Sequence, residues 1–282
     1  EIIQALNDLP ATGGEVVILD GTYNITASIN IPKDNVSIRG NGNATILKRM
    51  YNSTSAGSGS TARGLITLNK KSGCKIQGLQ IDGNKAIYTA SYNYGIYLSL
   101  SSDNNTITGN TCNNNDNGIY LHSSSNNTVT GNTCNNNDNN GIRLHSSSNN
   151  TITGNTCNNN YSGIYLSLSS NNTVTGNTCN NNNYGIYLSS SSDNNTVTGN
   201  TCNNNNNNGI YLYSSSNDNT ITGNTCNNNY DDGIRLSSSS NDNTITGNTC
   251  NNNSGGIYLY SSSSNNTITG NTCNNNSTGI HF

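Results

Sequence analysis

The chain has 282 residues, of which 9% are charged and 30% hydrophobic, and its net charge is −3. Nine of its eleven lysine and arginine residues lie within residues 1–85, so no basic stripe runs along the rest of the chain and a nucleic-acid-binding function is excluded. No apolar run reaches the length needed to span a membrane. Abundant Asn is typical of disordered tracts, but the apolar residues here recur at a fixed interval, which indicates a repeat architecture.

The first third of the chain is irregular. Residues 1–10 are predicted to form a short amphipathic helix that ends at Pro10 and covers the strand edge of a first coil. Residues 50–63, rich in Ser, Gly and Thr, are predicted to form an exposed loop. We expect residues 1–94 to form a capping helix and irregular coils, and residues 95–282 to form regular repeats of the same continuous domain. Short strands are predicted at residues 16–19, 23–26, 29–31, 36–39 and 45–48.

From residue 95 a two-part unit returns every 22 to 24 residues. One part reads Gly-Ile-Tyr-Leu, as at residues 95–98, and the other reads Asn-Thr-Ile-Thr-Gly-Asn-Thr-Cys, as at residues 105–112. Both parts alternate with period 2, which predicts strands, and neither has the 3.6-residue period of a helical repeat. A coil of this length with three short strands predicts an all-β fold, a single parallel β-helix solenoid whose coils stack about 4.8 Å apart.

Stacking turns each sequence position into a column along the solenoid. The Ile and Leu of the first part and the Ile or Val of the second are predicted to point inward, and the residues between them to point to solvent. The Asn that follows Gly, as at Asn110, is predicted to form a structural ladder of stacked amides. The predicted outward contact ladder consists of Tyr97, Tyr120, Tyr165, Tyr187, Tyr211 and Tyr258.

Eight of the nine cysteines form a further column, with a spacing equal to the coil length. Ile81 takes this position in a degenerate copy at residues 75–84, which favours an inward column in which Cys acts as a small hydrophobe. Three interpretations are open: buried free thiols, disulfides between adjacent coils, and a ladder of ligands for a soft metal such as Cu(I). We favour free thiols and a structural ladder. The column contains Cys112, Cys134, Cys157, Cys179, Cys202, Cys226, Cys250 and Cys273.

Asn-x-Ser/Thr sequons for glycosylation are abundant and fit a secreted or surface protein. Those in the repeats stack in one column about 4.8 Å apart, which is too close for a glycan on every coil. The better candidates therefore lie in the first third of the chain. They are Asn24, Asn35, Asn43 and Asn52.

The motifs Asn-Thr-Ile-Thr-Gly-Asn-Thr and Asn-Gly-Ile-Tyr-Leu give the chain a family resemblance. It resembles the right-handed parallel β-helix repeat proteins of the pectin-lyase-like superfamily, in particular NosD-type repeats and the Asn-rich surface proteins of methanogenic archaea. The opening Ile-Gln-Ala-Leu-Asn, with the later Gly-Gly-Glu-Val and Asp-Gly-Thr-Tyr, is similar to that superfamily's N-terminal cap. The resemblance covers nearly the whole chain and implies a right-handed solenoid, but one fold hosts many activities.

The enzymes of that superfamily cleave polysaccharides with clusters of carboxylates, or with Ca²⁺ and a basic residue. The aspartates of the repeats lie in Ser- and Asn-rich loops, whereas a glycosidase needs two carboxyl groups placed across a substrate bond. Asp82 and Lys85 form the one suggestive pair. We therefore predict that the chain is not an enzyme and has no catalytic residue, cofactor or metal site.

Near-identical coils favour a structural function. We predict an extracellular or cell-surface glycoprotein, a subunit of a filament, sheath or surface layer that associates with itself end to end or side by side. The sequence stops within a strand at Phe282, where a second copy could continue the stack. The alternatives are a carbohydrate-binding adhesin that uses the tyrosine ladder, an ice-binding protein that uses the outward Thr-x-Thr array, and a polysaccharide lyase or hydrolase.

Overall fold

The computed structural model describes residues 1–53 and 62–282 of the chain. It divides into two compact units, Glu1–Arg143 and Leu144–Phe282, and strand β12 (Asn140–His145) carries the chain from the first unit into the second. Each unit is built from short parallel strands that repeat once per coil. The predicted fold class, an all-β right-handed parallel β-helix with a short N-terminal helix, is confirmed. The predicted division into residues 1–94 and 95–282 stays a prediction.

The first unit opens with helix α1 (Ile2–Asp8), which buries Leu6. Its strands are β1 (Gly14–Val17), β2 (Gly21–Ile25), β3 (Ile29–Asn30), β4 (Val36–Arg49), β5 (Gly64–Asn69), β6 (Lys75–Asp82), β7 (Tyr94–Ser99), β8 (Thr106–Thr108), β9 (Thr111–Asn113), β10 (Asn117–His122) and β11 (Thr128–Thr130). One parallel sheet has the order β1–β4–β6–β8–β11, with β2 beside β4 and β9 beside β6. The other has the order β3–β5–β7–β10.

Strand β4 is longer than the sequence predicts, because it joins the strands expected at residues 36–39 and 45–48. Its register against β6 shifts between Arg39 and Gly42, and again between Gly42 and Ile46. Gly42 has a φ of +62°, a conformation that costs a glycine little, so the bulge bends the strand without ending it. Most of the loop expected at residues 50–63 lies outside the described residues.

The second unit is the more regular of the two. Its strands are β13 (Thr151–Thr153), β14 (Ser162–Ser167), β15 (Thr173–Thr175), β16 (Tyr184–Ser189), β17 (Thr196–Thr198), β18 (Ile210–Tyr213), β19 (Thr220–Thr222), β20 (Asp232–Ser237), β21 (Thr244–Thr246), β22 (Gly255–Leu259), β23 (Thr267–Thr269) and β24 (Thr278–His281). Odd-numbered strands from β13 form one parallel sheet and even-numbered strands from β14 form the other. The third strand of each coil is reduced to a single bridge, such as Thr178 to Thr201.

The core of the second unit follows the predicted columns. Ile186, Leu188, Val197 and Cys202 come from one stretch of chain, and all four are fully buried. Registers such as Ile186 opposite Ile210 place like residues on successive coils. Burying an aliphatic side chain of this size is worth about 1.5–3 kcal/mol, so the stacked columns supply the main apolar stabilisation of an otherwise polar chain.

The Gly of the Gly-Ile-Tyr-Leu motif is required for space. A Cβ on Gly209 would lie 2.6 Å from the carbonyl oxygen of Gly233 and 2.8 Å from the Cβ of Cys226. Gly163, Gly185 and Gly256 are crowded in the same way by the next coil. The glycine column and the cysteine column therefore pack directly against each other, and the small volume of both residues lets the coil close.

Buried asparagines form three ladders, and each coil contributes one asparagine to each ladder. The sequence predicts only the ladder that contains Asn110. In the second unit, the backbone N–H and Nδ2 of Asn177 both donate to Oδ1 of Asn200, at 2.9 and 3.0 Å, and Asn200 repeats this pattern with Asn224. The Nδ2 of Asn200 also donates to the carbonyl oxygen of Val174. The amides thus satisfy backbone groups at the turns, where the strands end. The parallel ladders of this unit start at Asn150 and Asn160.

Candidate functional site

Three of the predicted ladder tyrosines stack on one another in the second unit, and their role as a contact surface stays a prediction. The rings of Tyr165 and Tyr187 stack with centroids 4.9 Å apart and planes 18° apart, and those of Tyr187 and Tyr211 with centroids 5.2 Å apart and planes 6° apart. The parallel register of β14, β16 and β18 imposes this spacing, because it sets the side chains directly above one another. The ring faces therefore cover each other, and the ladder presents mainly ring edges and hydroxyls to solvent.

In the first unit the ladder prediction needs correction, because Tyr97 and Tyr120 are 0% and 5% exposed. They pack against Tyr94, with centroids 5.3 and 5.0 Å away, and the partly buried Tyr92 packs onto the cluster. The residues between β6 and β7 supply Tyr92 and cover a face that would otherwise be open. These two tyrosines are therefore not available as outward contacts.

Asp116 is a buried carboxyl group beside this cluster, and it is 6% exposed. One oxygen accepts a hydrogen bond from Nδ2 of Asn139, and the other accepts one from Nδ2 of Asn117 at 3.2 Å. Burial raises the pKa of Asp116 to about 7, and the bond from Asn139 and the charge of Arg143 only partly offset this. Asp116 therefore titrates near neutral pH.

The second unit carries one arginine, Arg235, at the outward position that tyrosine occupies on the coils to either side. Its guanidinium carbon lies 5.8 Å from the ring centroid of Tyr211, 5.3 Å from that of Tyr258 and 5.7 Å from that of Tyr260. At these distances the rings attract the cation. Arg235 thus continues the ring stack between Tyr211 and Tyr258, and the side chain stays 27% exposed.

Two further tyrosines, on the coils that flank Arg235, have open ring surface. Tyr213 is 39% exposed and packs beside Tyr211, and Tyr260 is 55% exposed and packs beside Tyr258. Sequence reasoning missed both, although each stands two residues after a ladder tyrosine and so shares its face by the period-2 rule. We call Tyr211, Tyr213, Arg235, Tyr258 and Tyr260 the tyrosine–arginine patch.

A shallow groove of about 180 Å³ adjoins the patch, and Tyr260, Leu259, Phe282 and the serines at 261–264 line it. Asp232, at the start of β20, is the nearest acidic partner of Arg235, with Oδ2 lying 3.6 Å from Nη1. Burial raises the pKa of Asp232 to about 6, against the opposing effect of Arg235. The patch therefore combines exposed ring faces, a cation, a weakly acidic carboxyl group and a row of hydroxyls.

The suggestive pair Asp82 and Lys85 lies at an open groove of about 440 Å³ in the first unit, but the two side chains have other partners. Asp82 accepts hydrogen bonds from the backbone N–H of Asn84 at 3.0 Å and from Nδ2 of Asn114 at 3.1 Å. Lys85 pairs with Asp138 at 2.8 Å. The geometry does not support an acid–base pair of Asp82 and Lys85.

The cysteines are free thiols, and all are buried except Cys273, which is partly exposed. Burial raises the pKa of Cys226 and of Cys202 well above the usual value, so the thiols stay protonated. Within residues 1–53 and 62–282, no group of three or more His, Cys, Asp or Glu side chains is placed to hold a metal. These observations favour the first of the three interpretations of the column.

The four candidate glycosylation residues, Asn24, Asn35, Asn43 and Asn52, are all exposed. The side-chain oxygen of Asn52 accepts hydrogen bonds from the backbone N–H of Ala90 at 3.2 Å and from Asn93 at 3.2 Å. Exposure is necessary for a glycan but does not demonstrate one, so glycosylation stays a prediction.

Solved structures with the same fold include polysaccharide-modifying enzymes. The A-module of the mannuronan C-5 epimerase AlgE4 of Azotobacter vinelandii aligns with a TM-score of 0.81 and 16% identity over 100% of this chain and 91% of its own. The AlgE6 A-module of the same organism aligns with a TM-score of 0.77 and 20% identity, over 99% and 90%. The Dettilon tailspike protein aligns with a TM-score of 0.65 and 19% identity, over 95% and 61%. At these identities the likeness shows the fold alone.

The prediction that the chain is not an enzyme is corrected by these likenesses. Epimerases use the same solenoid, so neither the fold nor its repetition is a ground for excluding enzymatic activity. The inference from near-identical coils fails because a β-helix can carry a site on a few of its coils while the remaining coils only support it.

The family comparison gives a direct match. The family described as "Periplasmic copper-binding protein (NosD)" matches residues 27–208 and 190–282, whereas no curated protein matches. No helix among the described residues is long and apolar enough to cross a membrane. The periplasmic description agrees with a location outside the cytoplasm, and the cell-surface assignment stays a prediction.

The residues present do not fit a copper centre. Burial raises the pKa of the Cys226 thiol, which opposes the thiolate form that binds a soft metal, and the column supplies one cysteine per coil with no His or Met among them. The copper in the family's description therefore finds no ligand set in the described part of this chain. The sequence match itself covers most of the chain, and the protein belongs to the NosD family.

Proposed function

We propose that the second unit binds polysaccharide through the tyrosine–arginine patch, in the periplasm or outside the cell. The observation that carries this proposal is the pair of open rings, Tyr213 at 39% and Tyr260 at 55% exposure, on the two coils that flank Arg235. The spacing set by the solenoid keeps both rings fixed, so a bound chain would cost little ordering of the protein.

The chemistry of the patch suits a sugar chain. The apolar C–H face of a sugar ring packs on an aromatic ring, while tyrosine hydroxyls and nearby serines supply hydrogen bonds to its hydroxyl groups. The groove beside Tyr260, with serines at 261–264, places such hydroxyls next to an open ring. Arg235 favours a saccharide that carries negative charge.

The structural neighbours support the proposal without deciding it. Their names refer to mannuronan and to alginate, both polysaccharides, so this solenoid accommodates polysaccharide in other proteins. A structural function through end-to-end or side-by-side self-association stays a prediction, as does ice binding by the Thr-x-Thr array, because no contact among residues 1–53 and 62–282 favours either of them over the patch.

Affinity electrophoresis in gels that contain a soluble polysaccharide tests the proposal, with dextran sulfate as the acidic polymer and dextran as the uncharged one. We expect the native protein to be retarded by dextran sulfate. The double substitution Tyr213→Ser with Tyr260→Ser is expected to weaken binding roughly tenfold, as the loss of two aromatic contacts implies. The matched control is Tyr23→Ser, a half-buried tyrosine of the first unit.

Circular dichroism should show the same β-sheet signal in all three proteins, because neither Tyr213 nor Tyr260 belongs to the buried core. Equal retardation of the native protein and the double variant, or no retardation by either polymer, would remove the patch as a polysaccharide site.

A further inference from the structure

We propose that Arg235 binds one anionic group of the ligand and that Asp232 competes with that group for the arginine, so that binding strengthens as the pH falls. This inference rests on the polysaccharide-binding function proposed above and adds its regulation. The competing carboxylate belongs to the same strand as the arginine, three residues earlier in the chain.

Asp232 is an exceptional residue in its column. The corresponding positions on the other coils of the second unit are Ser162, Tyr184, Asn208, Gly255 and Thr278, none of which is acidic. The backbone N–H of Asp232 donates to Oδ1 of Asn208 at 3.0 Å, which fixes the start of β20, and the residue is only 6% exposed. A buried acid that replaces neutral residues on one coil, next to the one arginine of the unit, indicates a paired role.

The interaction of Arg235 with Asp232 leaves the guanidinium incompletely satisfied. Their closest atoms are 3.6 Å apart, which is longer than a hydrogen bond between a guanidinium and a carboxylate. In the described part of the chain, Nε of Arg235 is buried and has no hydrogen-bond partner. Rings of Tyr211 and Tyr258 hold the group from the two neighbouring coils. Arg235 is thus positioned by stacking, and the exposed 27% of its side chain is the part that can meet an anion.

Protonation of Asp232 removes the competing charge within the physiological range. Burial raises the pKa of Asp232 to about 6, so the carboxyl group is neutral at pH 5 and charged at pH 8. The charged and titratable groups that act on it are Arg235 and Asp231 from its own segment and His281 from β24, and the backbone N–H of Gly255 on the next coil donates to it. The rings of Tyr211, Tyr258 and Tyr260 lie against Arg235. His281 lies near Asp232 and packs on Tyr258 with ring centroids 4.8 Å apart, so a control variant replaces it.

Binding of a dextran sulfate oligomer at pH 5 and pH 8 tests the inference, because sulfate esters stay ionised across this range and any change belongs to the protein. We expect the native protein to bind roughly tenfold more tightly at pH 5, the effect of removing one charge about 4 Å from the anion in a partly solvated site. Asp232→Asn should bind tightly at both values, with a ratio near one. Arg235→Gln should bind weakly at both.

Two controls isolate Asp232. Asp242→Asn removes an exposed acid at a turn where most other coils carry Asn, and should leave the tenfold ratio unchanged. His281→Gln should also keep the ratio. If the native protein binds equally at both pH values while Arg235→Gln loses binding, competition by Asp232 is refuted and the patch remains a binding site. If Arg235→Gln binds as well as the native protein, the assignment of Arg235 fails as well.

Discussion

Asp116 should make the first unit more stable in mild acid than at neutral pH. Its pKa is about 7 in the folded protein and 3.8 when unfolded, so between these values the folded state holds a proton that the unfolded state releases. The contribution of Asp116 to stability is therefore fully present below about pH 4 and is lost as the pH rises to about 7. A difference of about three pKa units, at 1.36 kcal/mol each, corresponds to about 4 kcal/mol.

The substitution Asp116→Asn removes this titration while keeping the size of the side chain. At pH 8 it should stabilise the unit by about 3 kcal/mol, because the gain of about 4 kcal/mol is reduced by the loss of the hydrogen bond from Asn117, worth about 1 kcal/mol. Hydrogen exchange of peptides that contain β7 and β10, measured by mass spectrometry and corrected for intrinsic rates, gives the opening free energy at each pH.

The matched control is Asp242→Asn, which changes the same charge at an exposed turn and should leave exchange in β7 and β10 unaltered. Opening free energies of the native protein that are equal at pH 4.5 and pH 8 would refute the reasoning. So would a destabilised Asp116→Asn variant at pH 8, because it would mean that the ionised carboxylate is stabilising.

Three more predictions concern the solenoid itself. Asn200→Ala should destabilise the second unit by roughly 2–4 kcal/mol in a urea titration, because it leaves buried backbone groups on adjacent coils without partners. The control Asn206→Ala changes an exposed asparagine and should cost under about 1 kcal/mol in the same titration. Gly209→Ala should prevent correct folding or lower the melting temperature sharply, and Gly223→Ala, where a Cβ meets no atom within 4 Å, should cost only the strain of its φ of +62°. The eight buried cysteines should react with a thiol reagent only after denaturation, and the native protein should not retain Cu(I) against a competing chelator. Rapid labelling of these thiols in the native protein, or stoichiometric copper binding, would contradict their assignment as buried free thiols.

The fold could be predicted because it depends on spacing. The inward positions of Ile186, Leu188 and Cys202 follow from a constant coil length and a period of two, and stacking converts both into columns. The Asn-rich runs hid two of the three amide ladders, because adjacent asparagines differ only in backbone conformation. Asn194 and Asn204, for example, have φ values of +56° and turn the chain so that the next Asn points inward.

The candidate site was harder to predict from the sequence, because it depends on which tyrosine ring faces are covered by neighbouring side chains in the folded chain. The ladder tyrosines were predicted, but the covering of Tyr97 by residues from an irregular segment, and the mutual covering of Tyr187 and Tyr211, are tertiary effects. The raised pKa of Asp232 likewise results from burial against its neighbours, which no local motif records. Tyr213 and Tyr260 could have been found by extending the alternation by one further residue.

Binding of a polysaccharide at the tyrosine–arginine patch is tested most directly by hydrogen exchange at pH 5. The protein is measured with and without a saturating concentration of a dextran sulfate oligomer. We predict slower exchange in peptides that contain β18, β20 and β22 and in residues 260–264, with no change in the first unit. Protection confined to the first unit or to the threonine-bearing strands β13 to β23 of the opposite sheet, or no protection anywhere, would contradict the claim.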